Sequence, residues 1–261
     1  MNHMDLTDHR IIVTGGASGM GAATVRNYVA AGAHVVSMDV DQEQGLEVAE
    51  AATAQGPGRA DFRRLDVSDA DDVTARFDEA AELLGGLDAL AHPAAIQRSG
   101  DASNVTVEDW DAMFAVNVRG TMLTNQAAHR LMAPNGRGSI INFGSISGLR
   151  PEAVAPAYSA AKGAVHSWTR TAAAAWGTDG VRVNAILPAI ATPMYDAAME
   201  RLDEEGRTAN YWMNEATIAL GHKYGDPDRD LGPVMVFLAS EASRFITGQL
   251  LPVDGGQSSV R

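Results

Sequence analysis

The chain contains no cysteine, which excludes a disulfide framework, a thiolate metal site and a cysteine nucleophile, and fits a reducing compartment. Lysine is almost as scarce. Arginine supplies most of the 20 basic residues, and Lys162 and Lys223 are the only lysines. Against 33 acidic residues this leaves a formal charge of −13. A surface so acidic repels phosphate backbones and anionic headgroups, so neither nucleic acid nor membrane is an expected partner. No uninterrupted apolar run is long enough to span a bilayer, and the opening Met1–Arg10 lacks the basic-then-apolar build of a secretory signal. The expectation is a soluble cytoplasmic protein. The seven histidines are scattered with no pair four apart, so no metal site is expected.

What the chain does have is 261 residues, 46% of them hydrophobic and 20% charged, enough for one sizeable core. Short apolar runs at Ile11–Thr14, His34–Met38, Asp61–Leu65, Leu87–His92, Ser139–Phe143, Arg182–Leu187 and Gln249–Val253 read as strands. They lack polar alternation, as strands covered on both faces do. Ala-rich helical stretches lie between them, among them Ala22–Ala31, Asp69–Leu84, Trp110–Met132 and Ala157–Trp176. Strand and helix in alternation predict one α/β, Rossmann-type domain over residues 1–261. Its doubly wound parallel sheet should have about seven strands, with helices on both faces. No linker or repeat interrupts it. The one long excursion, Ala191–Asp230, is of a length usually reserved for function.

The first strand runs into Thr14-Gly15-Gly16-Ala17-Ser18-Gly19-Met20-Gly21, and a helix follows. Gly15, Gly19 and Gly21 permit a tight turn whose backbone N–H groups, with those of Ser18 and Met20, approach a pyrophosphate at a helix N-terminus. Asp39, ending the second strand eighteen residues beyond Gly21, stands where an acidic side chain accepts from an adenosine ribose. Asp39 is an acceptor only and negative, and no arginine stands in the turn or directly after it. The expected cofactor is therefore NAD rather than NADP.

Tyr158 and Lys162 are four apart within a helical stretch, so they share a face. With five tyrosines and two lysines, chance supplies a Tyr-x-x-x-Lys pair only about 0.04 times per chain. A neighbouring ammonium favours the phenolate, making Tyr158 a usable acid/base. Ser145 follows the fifth strand, at the end where parallel sheets present their sites, and its hydroxyl suits charge developing on a substrate oxygen.

These residues and their layout, from Ile11-Ile12-Val13-Thr14-Gly15 to Val253-Asp254-Gly255-Gly256, resemble the short-chain dehydrogenase/reductase family. The resemblance implies a catalytic tetrad of Asn117, Ser145, Tyr158 and Lys162, with Lys162 also holding the nicotinamide ribose. It implies adenine contacts at Asp66 and Val67 and nicotinamide contacts at Pro188 and Thr192. It places a substrate lid at about 191–230 and implies a homotetramer. The chain departs from the family at His92-Pro93-Ala94-Ala95, where Asn-Asn-Ala-Gly is usual, and at Pro188-Ala189, where Pro-Gly is usual. Neither change removes a reacting group. The expected reaction interconverts a secondary alcohol and its ketone. Ile146, Val154, Ile190, Met194, Tyr195 and Trp212 would line a site for a bulky neutral substrate, alicyclic, aromatic or steroid-like. Two alternatives stand beside it, a cofactor sensor without activity and a non-redox enzyme on the same scaffold.

Overall fold

In the computed structural model, which describes residues 4–258, the apolar runs form a sheet of seven strands, all paired in parallel. The first half runs β1 (Arg10–Thr14), α1 (Gly19–Ala30), β2 (His34–Asp39), α2 (Gln42–Gln55), β3 (Arg59–Arg64) and α3 (Ala70–Leu84). The middle runs β4 (Ala89–His92), α4 (Val107–Met113), α5 (Gly120–Met132), β5 (Gly138–Phe143) and α6 (Pro156–Trp176). The chain then continues through β6 (Val181–Pro188), α7 (Pro193–Glu200), α8 (Glu204–Met213), α9 (Gly232–Ala239) and β7 (Leu250–Val253). The order across the sheet is β3-β2-β1-β4-β5-β6-β7, the Rossmann-like arrangement expected from the alternation. After β3 the chain returns to the other side of β1. The crossovers on either side of the β1–β4 junction therefore diverge, and a crevice opens above their carboxyl ends.

Unbroken apolar runs suit these strands because both faces are covered. Ile11, Val13, Val35 and Ile141 face one core with Tyr28 of α1 and Met235 of α9. Ile12, Val36, Leu90 and Ile140 face the other, with Phe77 of α3, Met132 of α5 and Ala172 of α6. Neighbouring residues of one strand thus point to opposite cores. The acids at Asp69–Asp72 begin α3: Asp69 caps it, accepting from the N–H groups of Asp71 and Asp72.

Two stretches differ from the sequence expectation. The predicted single helix Trp110–Met132 begins earlier, capped by Thr106, and is broken by a π-helical turn over Phe114–Arg119. The excursion 191–230 is no open loop, since α7 and α8 occupy much of it, capped by Thr192 and Asp203. Among the described residues no helix is long and apolar enough to cross a membrane.

Candidate active site

The glycine turn fills the mouth of the β1–β4 crevice with backbone. Gly15 and Gly19 adopt the left-handed region, at φ 65° and 51°. At Gly21 a β-carbon would stand 1.8 Å from the Gly15 carbonyl oxygen, so no other residue allows the turn to close this tightly. The first turn of α1 carries no acidic residue, and the Ser18 side chain does not cap it. Its N-terminal charge is thus left for an anion from outside. Gly15 also touches the unusual segment after β4, where its β-carbon would come within 2.6 Å of the Ala94 nitrogen.

A cleft of about 520 Å³ extends from this turn. Gly15, Ser18, Gly19, Met20, Gly21, Asp39, Asp66, Val67, Tyr158, Ile190 and Thr192, all expected from the sequence, line it. Among the described residues no lysine or arginine lines it. Asp39 is fixed by two backbone donors, the N–H of Ala17 to Oδ2 and that of Asp41 to Oδ1, each at 3.1 Å. The Ser68 hydroxyl and N–H both donate to Asp66 and hold its carboxyl below the usual range. Pro93, Ala94 and Ala95 of the segment after β4 line it too, and the lining the sequence reading missed is Val40, Leu65, Ser68, Ile96, Gln97, Val116 and Pro193. Most of these residues directly follow a strand's carboxyl end, a positional signal present in the sequence.

At the far end α6, opened by Pro156, carries Tyr158 and Lys162 on one face. Lys162 is only 4% exposed; its Nζ donates to the Phe143 carbonyl at 2.7 Å and lies 5.5 Å from the centre of the Tyr158 ring. Burial pushes the Lys162 pKa down to about 8. Tyr158 differs from expectation. Burial pushes its phenol up to about 12, and the opposing influence is the Ser145 hydroxyl rather than the lysine, whose ammonium is spent on Phe143. Ser145 caps a short turn, Ile146–Gly148, accepting from the Ser147 N–H at 3.1 Å. Asn117 sits in the π-turn, buried. Its amide clamps Ile96, accepting from the N–H and donating to the carbonyl, both at 2.8 Å.

Two buried histidines join this end, His92 of the departing segment and His166, which the sequence reading did not single out. His92 has Nδ1 within 2.7 Å of the Thr14 hydroxyl and 3.2 Å of that of Thr124, while Nε2 has no partner. Burial, reinforced by Lys162, pushes it down to about 3, so the ring is neutral. His166, one turn beyond Lys162, accepts from the Ser145 N–H at 3.2 Å.

Of the five expected substrate positions whose side chains are described, Ile190 alone lines the cleft. Ile146 is half-buried in the turn after Ser145, and Val154 is 57% exposed. Tyr195 turns into the excursion 191–230, donating to Glu215 at 2.6 Å and meeting Tyr224 edge-on. Trp212 is 68% exposed and packs against Tyr211. The Met194 side chain lies outside the described residues. Pro188 ends β6 half-buried and is not in the lining. Thr192 both lines the cleft and caps α7 through Tyr195.

The profile of a family described as enoyl-(acyl carrier protein) reductase matches residues 15–258. The 2,5-dichloro-2,5-cyclohexadiene-1,4-diol dehydrogenase of Sphingobium indicum is 36% identical over 259 residues, covering 98% of this chain and 99% of its own. A crystal structure of levodione reductase superposes with a TM-score of 0.90 at 31% identity, covering 98% of this chain and 99% of that one. A short-chain type dehydrogenase/reductase from Mycobacterium ulcerans gives 0.88 at 30% identity, covering 96% and 90%.

Proposed function

The chain belongs to the short-chain dehydrogenase/reductase family of oxidoreductases, and from that premise we propose that it is an NAD-dependent enzyme interconverting a secondary alcohol and its ketone. The observation that carries this reading is the meeting of Ser145 and Lys162 at Tyr158, which lines a cleft together with a glycine turn whose helix N-terminus is uncompensated. The turn fits a pyrophosphate because backbone already fills the space any side chain at Gly21 would need. NAD, when bound, supplies the two-electron acceptor for a hydride from the carbinol carbon. Tyr158 takes the hydroxyl proton in oxidation and returns it in reduction. A phenol held near 12 keeps its proton at neutral pH and is ready as the acid for ketone reduction. Ser145 donates to the substrate oxygen as charge grows there. Lys162 holds the ribose, and Asn117 acts through the Ile96 backbone it clamps.

Asp39 favours NAD by offering a ribose diol an acceptor and a 2′-phosphate a repulsion. One observation favours NADP: Arg64 is the register partner of Asp39 across β2 and β3, although it does not line the cleft. A bulky, neutral, cyclic substrate fits the apolar Ile96, Val116 and Ile190 and the diol named for the Sphingobium relative. An apolar groove of about 810 Å³ on α4, the π-turn, α5 and α6, lined by Phe114, Val118, Met122, Val165 and Trp168, supports a homotetramer. Absence of cysteine fits a cytoplasmic setting. The test is NADH absorbance on mixing NAD with alicyclic, aromatic, steroidal and short linear alcohols. No NADH from any of them overturns the reaction, and equal efficiency with NADP overturns the cofactor.

A further inference from the structure

We propose that His166 is the positioning residue for Ser145: its ring fills the inside of the turn between β5 and α6, and its Nε2 holds the serine's backbone N–H. The role assigned to Ser145 rests on the dehydrogenase reading; the contact does not.

The placement begins with spacing. Tyr158, Lys162 and His166 recur every four residues along α6, so all three face the turn 143–148. Each of the last two fixes a different backbone atom of that turn. Lys162 donates to the Phe143 carbonyl at 2.7 Å, and His166 accepts from the Ser145 N–H at 3.2 Å. A third anchor comes from the sheet, where the Gly144 N–H donates to the Ile186 carbonyl at 2.8 Å.

The ring also explains the glycines on either side of the serine. A β-carbon at Gly144 would stand 2.5 Å from Nε2 of His166, and one at Gly148 would stand 2.7 Å from Cε1. Gly144-Ser145-Ile146-Ser147-Gly148 therefore wraps a histidine that occupies the space two side chains would need. With the backbone held, the Ser145 Oγ is oriented by Ser147, accepting from its N–H at 3.1 Å and donating to its hydroxyl at 3.2 Å.

An accepting Nε2 requires an uncharged ring with its proton on Nδ1. The surroundings enforce that state. His166 is 2% exposed, and burial first, then the charges of Lys162 and Arg170, push it down to about 4. The Gly148 carbonyl opposes this only weakly: it lies toward the ring, yet Nδ1 makes no hydrogen bond of good geometry. The serine's anchor thus stays an acceptor across the physiological range.

The experiment compares His166→Leu, which fills space without an acceptor, with His166→Gln, whose amide oxygen reaches close to the Nε2 position. Amide hydrogen exchange at Ser145 is read without substrate, beside kcat and the affinity for NAD. The leucine variant is expected to exchange Ser145 faster and to lose kcat, each about tenfold, the scale of one hydrogen bond. Its affinity for NAD should stay unchanged, and glutamine should restore most of both losses. Wild-type exchange in the leucine variant, or glutamine no better than leucine, overturns the proposal. Should the variants fail to fold, nitrogen NMR of the wild-type imidazole decides: protonated Nδ1 and bare Nε2 near neutral pH support it, and a protonated Nε2 overturns it. A wild-type protein that binds NAD but oxidises no alcohol refutes the dehydrogenase reading, while exchange at Ser145 still tests the contact.

Discussion

Replacing Lys162 by Met should remove a pH dependence from the protein's stability that follows from the burial of its ammonium. The ammonium is buried, and burial lowers its pKa from 10.5 to about 8. Below pH 8 folded and unfolded chains both hold the proton, so stability does not respond to pH through this group. Between about 8 and 10.5 the unfolded chain keeps a proton that the native chain has shed. The unfolded state then binds more protons, and stability rises with pH. At about 1.36 kcal/mol per unit of pH, going from about pH 7 to about pH 9.5 should stabilise the wild type by about 2 kcal/mol relative to Lys162→Met. Methionine keeps the stem but cannot titrate. Tyr158 works with the opposite sign, because its native pKa of about 12 lies above the ordinary 10.0, but only above about pH 10. Urea unfolding at fixed protein concentration, without cofactor, supplies the difference between the two proteins at each pH. A difference that stays constant across that range would refute the reasoning, because Lys162 would then titrate alike folded and unfolded.

The variant Tyr158→Phe keeps the ring and removes the acid/base, so steady-state kinetics should show turnover down by at least ~10²-fold, with NAD binding by titration unchanged. Gly21→Ala drives a methyl into the Gly15 carbonyl, and calorimetry should show NAD affinity falling by roughly tenfold or more while the fold survives by circular dichroism. Asp39→Asn keeps an acceptor but drops the charge, so the ratio of kcat/KM for NAD over NADP should fall by about tenfold; an unchanged ratio would remove Asp39 from cofactor choice.

The buried sheet was legible because its strands are continuous apolar runs, and the glycine turn because it sits between strand and helix. Other features depend on partners far along the chain. The π-turn at Phe114–Arg119 looks helical in sequence; Asn117 in that turn reaches the backbone of Ile96, 21 positions away. His166 reads as a core residue until Ser145, also 21 positions away, is seen to donate to it. The excursion 191–230 shows a different gap. Its aromatic content was plain, but composition carries no direction, and Tyr195 turned out to serve Glu215 while Trp212 faces outward. The pKa of Tyr158 was misjudged because proximity to a cation was weighed without the desolvation that outweighs it.

The scarcity of lysine has a practical side. Lys162 is sealed beneath Phe143, whereas Lys223 stands exposed between α8 and α9. Apart from the terminal amine, an acylating reagent used on the folded protein meets one reachable ε-amine. Besides that terminal amine, a dye or surface linker placed by amine chemistry lands at Lys223, beside the Tyr224 that packs on Tyr195. Fluorescence from a dye there reports on the surroundings of Tyr224 and Tyr195, and is obtained without introducing a cysteine.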